Sequence, residues 1–144
     1  GHRPPAQRHQ LRRGVNAGQM LRAGGIDSVR VRLLIHPVDP ESIRVRPAPG
    51  LMRRLWGRGI SGMTLGKTIF LDPDLMVAAQ HLPGLLLVHE LVHVRQWGEL
   101  GVIRFLWRYL SAYVGGRWKG LGHRAAYLAI PLEVEARVAA RLLE

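Results

Sequence analysis

The chain contains no cysteine. Disulfides and thiolate-held zinc are therefore excluded, and any metal would have to be bound by His, Asp or Glu. Acidic residues are few: 10 Asp and Glu stand against 21 Lys and Arg in 144 residues, for a formal net charge of +11. Lysine is scarcer still, with Lys67 and Lys119 the only two, so arginine carries the surplus. Such a surplus steers nucleic acid, anionic lipid or an acidic protein partner toward the surface. The arginines are spread through every segment rather than gathered in one dense run, which argues against nucleic-acid binding as the main activity. No apolar run is long enough to cross a membrane. The opening GHRPPAQRHQLRRG has charge but no apolar stretch behind it, unlike a secretory leader. These absences predict a cytoplasmic protein, with peripheral attachment to a membrane surface, but no span, as the secondary reading. The first residue is Gly1 and not Met, as in a piece of a longer protein. No internal repeat or low-complexity tract is present.

Hydrophobic residues make up 47% of the chain, which suits one globular domain with a real core. Residues 1–25 hold five arginines, no acid and two early prolines. They read as a basic mobile arm with a short helix near 15–23, followed by a single domain over 26–144. SVRVRLLI (28–35) alternates apolar and basic residues and predicts a half-buried strand ended by His36-Pro37. Residues 43–45 are expected to pair briefly, and 51–60 are basic and ambiguous. Residues 60–63 and 64–71 predict two strands in a hairpin-like arrangement, GKTIFLD being the better of them. Asp72-Pro73 reads as the start of a short helix running toward Gln80. A helix is expected from Pro83 to Gly98 or Gly101. A second, over 101–114, packs on it, the alternative being an interfacial membrane helix because Arg104 and Arg108 fall together at i,i+4; then comes a glycine-rich break at 115–122. Residues 124–130 follow, and a closing helix from Pro131 has proline in its first turn.

The central stretch is LLLVHELVHVRQW (85–97), which contains His89-Glu90-Leu91-Val92-His93, the pattern H-E-x-x-H. Residues four apart share one helix face, so both imidazoles can point at one metal ion. Glu90 lies about 100° around the axis, within reach of a water activated there. Leu86, Leu87, Val88, Leu91, Val92 and Val94 make the helix apolar nearly all round, hence a core helix. Two histidines and a carboxylate are costly to bury without a partner, and zinc supplies one.

A catalytic zinc takes three protein ligands. The third must come from elsewhere, and the closing helix offers Glu133 and Glu135, about 200° apart on its surface. A stripe through Leu132, Ala139 and Leu142 favours Glu135. A face of small residues, Ala136 and Ala140 beside Glu133, favours Glu133 by letting two helix backbones approach. We take Glu133 as the expected ligand, with Glu135 as the alternative; either could instead pair with Arg137 or Arg141.

HELVH followed by PLEVEA resembles the gluzincin-type zinc metallopeptidases, whose third ligand is a glutamate on a helix after the H-E-x-x-H helix. Glu133 to Ala136 is similar to the E-x-x-A-D signature of one gluzincin family and to E-x-E-A-D in small zincin-like domains. The resemblance covers about residues 64–140. It implies an α+β, zincin-like fold: a small mixed or antiparallel sheet packed on the H-E-x-x-H helix, with further helices on the C-terminal side. It also implies a zinc-dependent peptidase with His89, His93 and Glu133 as ligands and Glu90 as general base, acting on a peptide or protein substrate. The developing oxyanion needs a further donor. His123, Arg124 and Tyr127, just before the closing helix, are the candidates, with His123 and Tyr127 preferred. Strand 67–71 is expected to hold an extended peptide by strand addition. Two positions depart from the pattern: Arg137 stands where the signature has the Asp that would orient a ligand histidine, and Arg95 replaces an apolar residue. The rival readings are a zincin-scaffold binding or regulatory domain that cuts nothing, and a basic nucleic-acid-associated domain.

Overall fold

The computed structural model describes residues 15–56, 61–78 and 82–143. The chain is α+β, mostly helical, with a small mixed four-stranded sheet. Strand β1 (Val15–Asn16) leads into α1 (Ala17–Ala23) through a reciprocal cap: Asn16 accepts from the Gln19 amide, and Gln19 reaches back to the Asn16 amide. Ala17 and Leu21, one turn apart, are fully buried. The arm expected over 1–25 is therefore corrected at its C-terminal end, because residues 15–23 pair with the sheet and fill the core. Residues 1–14 of that arm lie outside the described residues.

The strand expected at 28–35 is a helix, α2 (Ser28–Ile35). Asp27 caps it, its side chain accepting from the Val29 and Arg30 amides. The alternation was misleading because only Val31 and Ile35, an i,i+4 pair, are buried, whereas Val29 and Leu33 are 65% and 75% exposed. A 3-10 turn (Pro40–Ser42) then leads to β2 (Arg44–Pro47), the brief pairing expected near 43–45, and to α3 (Gly50–Trp56). Residues 57–60, part of the ambiguous basic stretch and of the first expected strand, lie outside the described residues.

Strands β3 (Gly62–Leu65) and β4 (Thr68–Leu71) form the hairpin, with Leu65 opposite Thr68 and Gly62 opposite Leu71. The sheet order is β1-β2-β4-β3, with β2 and β4 parallel and the other pairs antiparallel. Strand β4 is thus paired on both sides, which corrects the expectation that 67–71 is open to a peptide. Among the described residues the free edge beside the hairpin is that of β3. Helix α4 (Pro73–Ala78) starts behind Asp72, whose side chain accepts from the Asp74 amide. The expected end of this helix at Gln80 lies outside the described residues.

Helix α5 (Leu82–Trp118) carries the motif. Gly98 passes through it, but Gly101 does not, with φ 75° and ψ 166°, a conformation closed to residues with a Cβ. The helix folds back there. Trp97 and Phe105 stack with ring centroids 4.2 Å apart, where eight residues of unbroken helix would separate them by about 12 Å. The glycine-rich break expected at 115–122 is confined to 119–122, since the helix continues through Gly115 and Gly116. Packing offsets the poor helix propensity of glycine here, because Gly116 lies so close to Ala126 that a Cβ would be 3.2 Å from that methyl. Helices α6 (His123–Leu128) and α7 (Pro131–Arg141) complete the chain. Helix α7 lies along α5 through Ala136, Ala139 and Ala140, all buried.

Candidate metal centre

The first arm of α5 (residues 82–100) is covered on one side by the sheet and on the other by α7. Leu87, Val88, Leu91 and Val92 are fully buried in the core with Val45, Ile69 and Leu71. This packing holds His89 and His93 on the face that meets α7, their rings 4.9 Å apart and edge to face. Glu133 enters from the first turn of α7, only 3% exposed. Its Oε2 is 2.8 Å from His89 Nε2, and its Oε1 is 3.1 Å from His93 Nε2. One ligand atom from each of the three residues lies within 4.8 Å of the other two. Two ligands of one tetrahedral zinc sit roughly 3.3 Å apart, so the spacing suits such an ion. Glu135 is turned away, paired with Arg95 on the surface side of α7.

The orientation of His93 is set by a residue that sequence reading passed over. Gln96 is buried, and its amide nitrogen donates to the Leu132 carbonyl at 3.0 Å. Its oxygen therefore faces His93 Nδ1, at 2.8 Å, and accepts a hydrogen bond from it. With the proton on Nδ1, neutral His93 turns a lone pair at Nε2 toward the Glu133 carboxylate. His93 Nε2 is buried and has no hydrogen-bond partner. A lone pair facing an anion inside a protein needs a cation between them, either a proton or a metal. Gln96 thus fixes the His93 ring from one turn further along the same helix. Its i+3 spacing from His93 is the signal that could have revealed it.

The second arm of α5 (residues 102–118) supplies another unforeseen group. Tyr109 donates from its hydroxyl to Glu133 Oε1 at 2.8 Å. It stands sixteen residues after His93, about 24 Å along an unbroken helix, so only the fold at Gly101 allows both to reach one carboxylate. Burial alone would raise the Glu133 pKa, but the hydrogen bonds with His89 and Tyr109 and the nearby His93 ring outweigh it and hold the carboxyl well below its usual range. Burial alone would lower the His93 pKa, and the Glu133 and Glu90 carboxylates outweigh it and raise it. Both shifts favour a charged carboxylate beside positive charge.

Glu90 is 4% exposed and points toward β3. Thr64 Oγ1 donates to its Oε2 at 2.7 Å. Gly62, two residues earlier on the same strand face, leaves room for the carboxylate: a Cβ there would be 3.1 Å from Glu90 Oε1. Burial pushes the Glu90 pKa up, opposed by the nearby histidines and by Thr64. Two clefts open at Glu90. One, of about 200 Å³, is walled by Met63, Leu65, Trp97, Phe105, Leu106 and Leu110 and reaches His93, Glu133 and Tyr127. The other reaches His89, Tyr127, Arg137 and Arg141. Tyr127 therefore borders both, and its hydroxyl pKa is raised by burial and by Glu133, which keeps it a donor. His123 lines neither cleft; it is exposed, with Nδ1 2.7 Å from the Tyr113 hydroxyl. Arg124 is likewise exposed. The structure thus gathers His89, Glu90, His93, Tyr127 and Glu133 and leaves His123 outside. Arg95, at the other departure from the pattern, ties α5 to α2 by donating to the Leu34 carbonyl at 2.7 Å, and to α7 through Glu135.

No helix among the described residues is long and apolar enough to cross a membrane. No protein-family model, no curated protein and no solved structure matches the chain.

Proposed function

We propose that the chain is a zinc-dependent peptidase of the gluzincin type, with a minimal zincin-like fold and with His89, His93 and Glu133 as the residues that hold the metal. The observation that carries this reading is the buried group of His89, His93 and Glu133, in which His93 Nε2 faces the Glu133 carboxylate with no hydrogen-bond partner, and the Glu90 carboxylate is one residue from His89. A bound divalent ion supplies Lewis-acid chemistry, polarising a carbonyl and making water a stronger acid.

The remaining work falls to the chain itself. Glu90, its pKa raised by burial, takes a proton from the attacking water and passes it to the leaving amine. Thr64 keeps that carboxylate aimed. The Tyr127 hydroxyl donates to the oxygen on which negative charge develops. Substrate lies along β3. The Asp72 amide donates to Ser61 at 2.9 Å, and hydrogen-bonded pairs alternate along an antiparallel hairpin, so the backbone groups of Gly62 and Thr64 face the free edge. An extended peptide added there would run past Glu90, with one apolar side chain in the cleft of about 200 Å³. That volume is below the roughly 300–1,000 Å³ of pockets that enclose whole ligands, so it suits part of a chain.

The test is zinc content and peptide hydrolysis by purified protein, wild type beside Glu133→Ala, Glu135→Ala and Glu90→Gln. We expect stoichiometric zinc in wild type, Glu135→Ala and Glu90→Gln, and loss of zinc in Glu133→Ala. Glu90→Gln should lower turnover by about 10²–10⁴-fold without releasing metal. Wild-type protein without zinc overturns the site. Zinc-loaded protein that cuts no apolar peptide leaves a binding domain in place of an enzyme.

A further inference from the structure

The second arm of α5 is apolar on two opposite faces. One face packs inward through Phe105, Tyr109, Ala112 and Tyr113. On the other, Ile103, Trp107, Leu110, Val114 and Trp118 are 84%, 74%, 56%, 59% and 90% exposed. At about 100° per residue these five fall within about 80° of arc, a continuous stripe along a helix about 25 Å long. Isolated exposed apolar residues are ordinary, but a contiguous stripe with tryptophan at two levels marks an interaction surface.

Charge identifies what covers it. Arg104 and Arg108 lie on one flank of the stripe and Arg117 on the other, and Lys119 and Arg124 follow, all exposed. Residues 101–132 contain no Asp or Glu. Among the described residues none of these five cations makes an ion pair. A second copy of the chain would bring like charges together, each copy carrying +11. An anionic bilayer instead offers an apolar layer for the stripe and phosphate for its flanks, and tryptophan suits the boundary between them. We propose that this face docks on the surface of an anionic membrane, with the helix lying in the interfacial plane. Leu106 and Leu110 wall the apolar cleft beside Glu90, so docking sets that cleft against the lipid surface. The docking itself does not depend on the metal.

The experiment is flotation of the full chain with vesicles rich in phosphatidylglycerol, and in parallel with pure phosphatidylcholine vesicles. The wild type should float with the first and remain behind with the second. Arg104→Gln with Arg108→Gln should weaken binding by about fivefold per charge removed, and added salt should do the same. Ile103→Ser with Trp107→Ser should weaken it at least about tenfold, with unchanged helix content by circular dichroism. Should that variant fail to fold, Trp118→Ser, at the 90% exposed end of the stripe, takes its place as the test of the apolar contact. Equal binding to both vesicle types, or none to either, overturns the proposal. So does loss of binding in the arginine variant alone, which would mean unspecific charge attraction. A dimer in sedimentation velocity that the Ile103 and Trp107 changes dissolve would assign the face to a second copy and overturn it as well.

Discussion

The two arms of α5 are both more than half apolar and have opposite fates. Leu87, Val88, Leu91 and Val92 in the first are fully buried, whereas Ile103, Trp107 and Trp118 in the second are 84%, 74% and 90% exposed. Hydrophobicity alone does not separate them. The first arm lies between the sheet and α7, so every face finds a neighbour. The second emerges beyond Gly101 and, among the described residues, has a neighbour on one face only. Burial is a property of where a helix is delivered, and a single glycine conformation delivers these two differently.

Mutations can sharpen that contrast. Leu91→Ala, in the buried arm, should cost about 2–5 kcal/mol in chemical denaturation, because it leaves a cavity between sheet and helix. Gln96→Met keeps the volume but removes the acceptor at His93 Nδ1, and should weaken zinc binding about 10–100-fold in competition with a chromophoric chelator. Gly101→Ala meets no neighbouring atom, so its cost is backbone strain alone, about 1–3 kcal/mol by thermal unfolding. Ile103→Ser, in the exposed arm, should change stability by no more than about 0.5 kcal/mol. If Ile103→Ser proved as costly as Leu91→Ala, the two arms would not differ as described.

Reading the sequence went furthest where the signal was local. The H-E-x-x-H spacing, Pro131 in the first turn of α7 and the hairpin around Gly66 each depend on a few neighbouring residues. It failed at 28–35, where alternation suggested a strand although Asp27 stood ready to cap a helix. It failed also at the sheet edge, because strand order depends on β2 inserting beside β4, a pairing of segments more than twenty residues apart. Among the oxyanion candidates, proximity in sequence could not distinguish Tyr127, which borders both clefts, from His123, which is turned to Tyr113.

Taken alone, the order of residues determined that His89 and His93 share a helix face with Glu90 beside them, since helical periodicity follows from backbone geometry. Only the tertiary structure decided which glutamate meets them. Glu133 and Glu135 point about 200° apart, and the small side chains of Ala136 and Ala140 turn the Glu133 face of α7 toward α5. Gln96 and Tyr109 became partners of the same group for a related reason. Their contacts join segments that meet only after α7 docks and α5 folds back at Gly101.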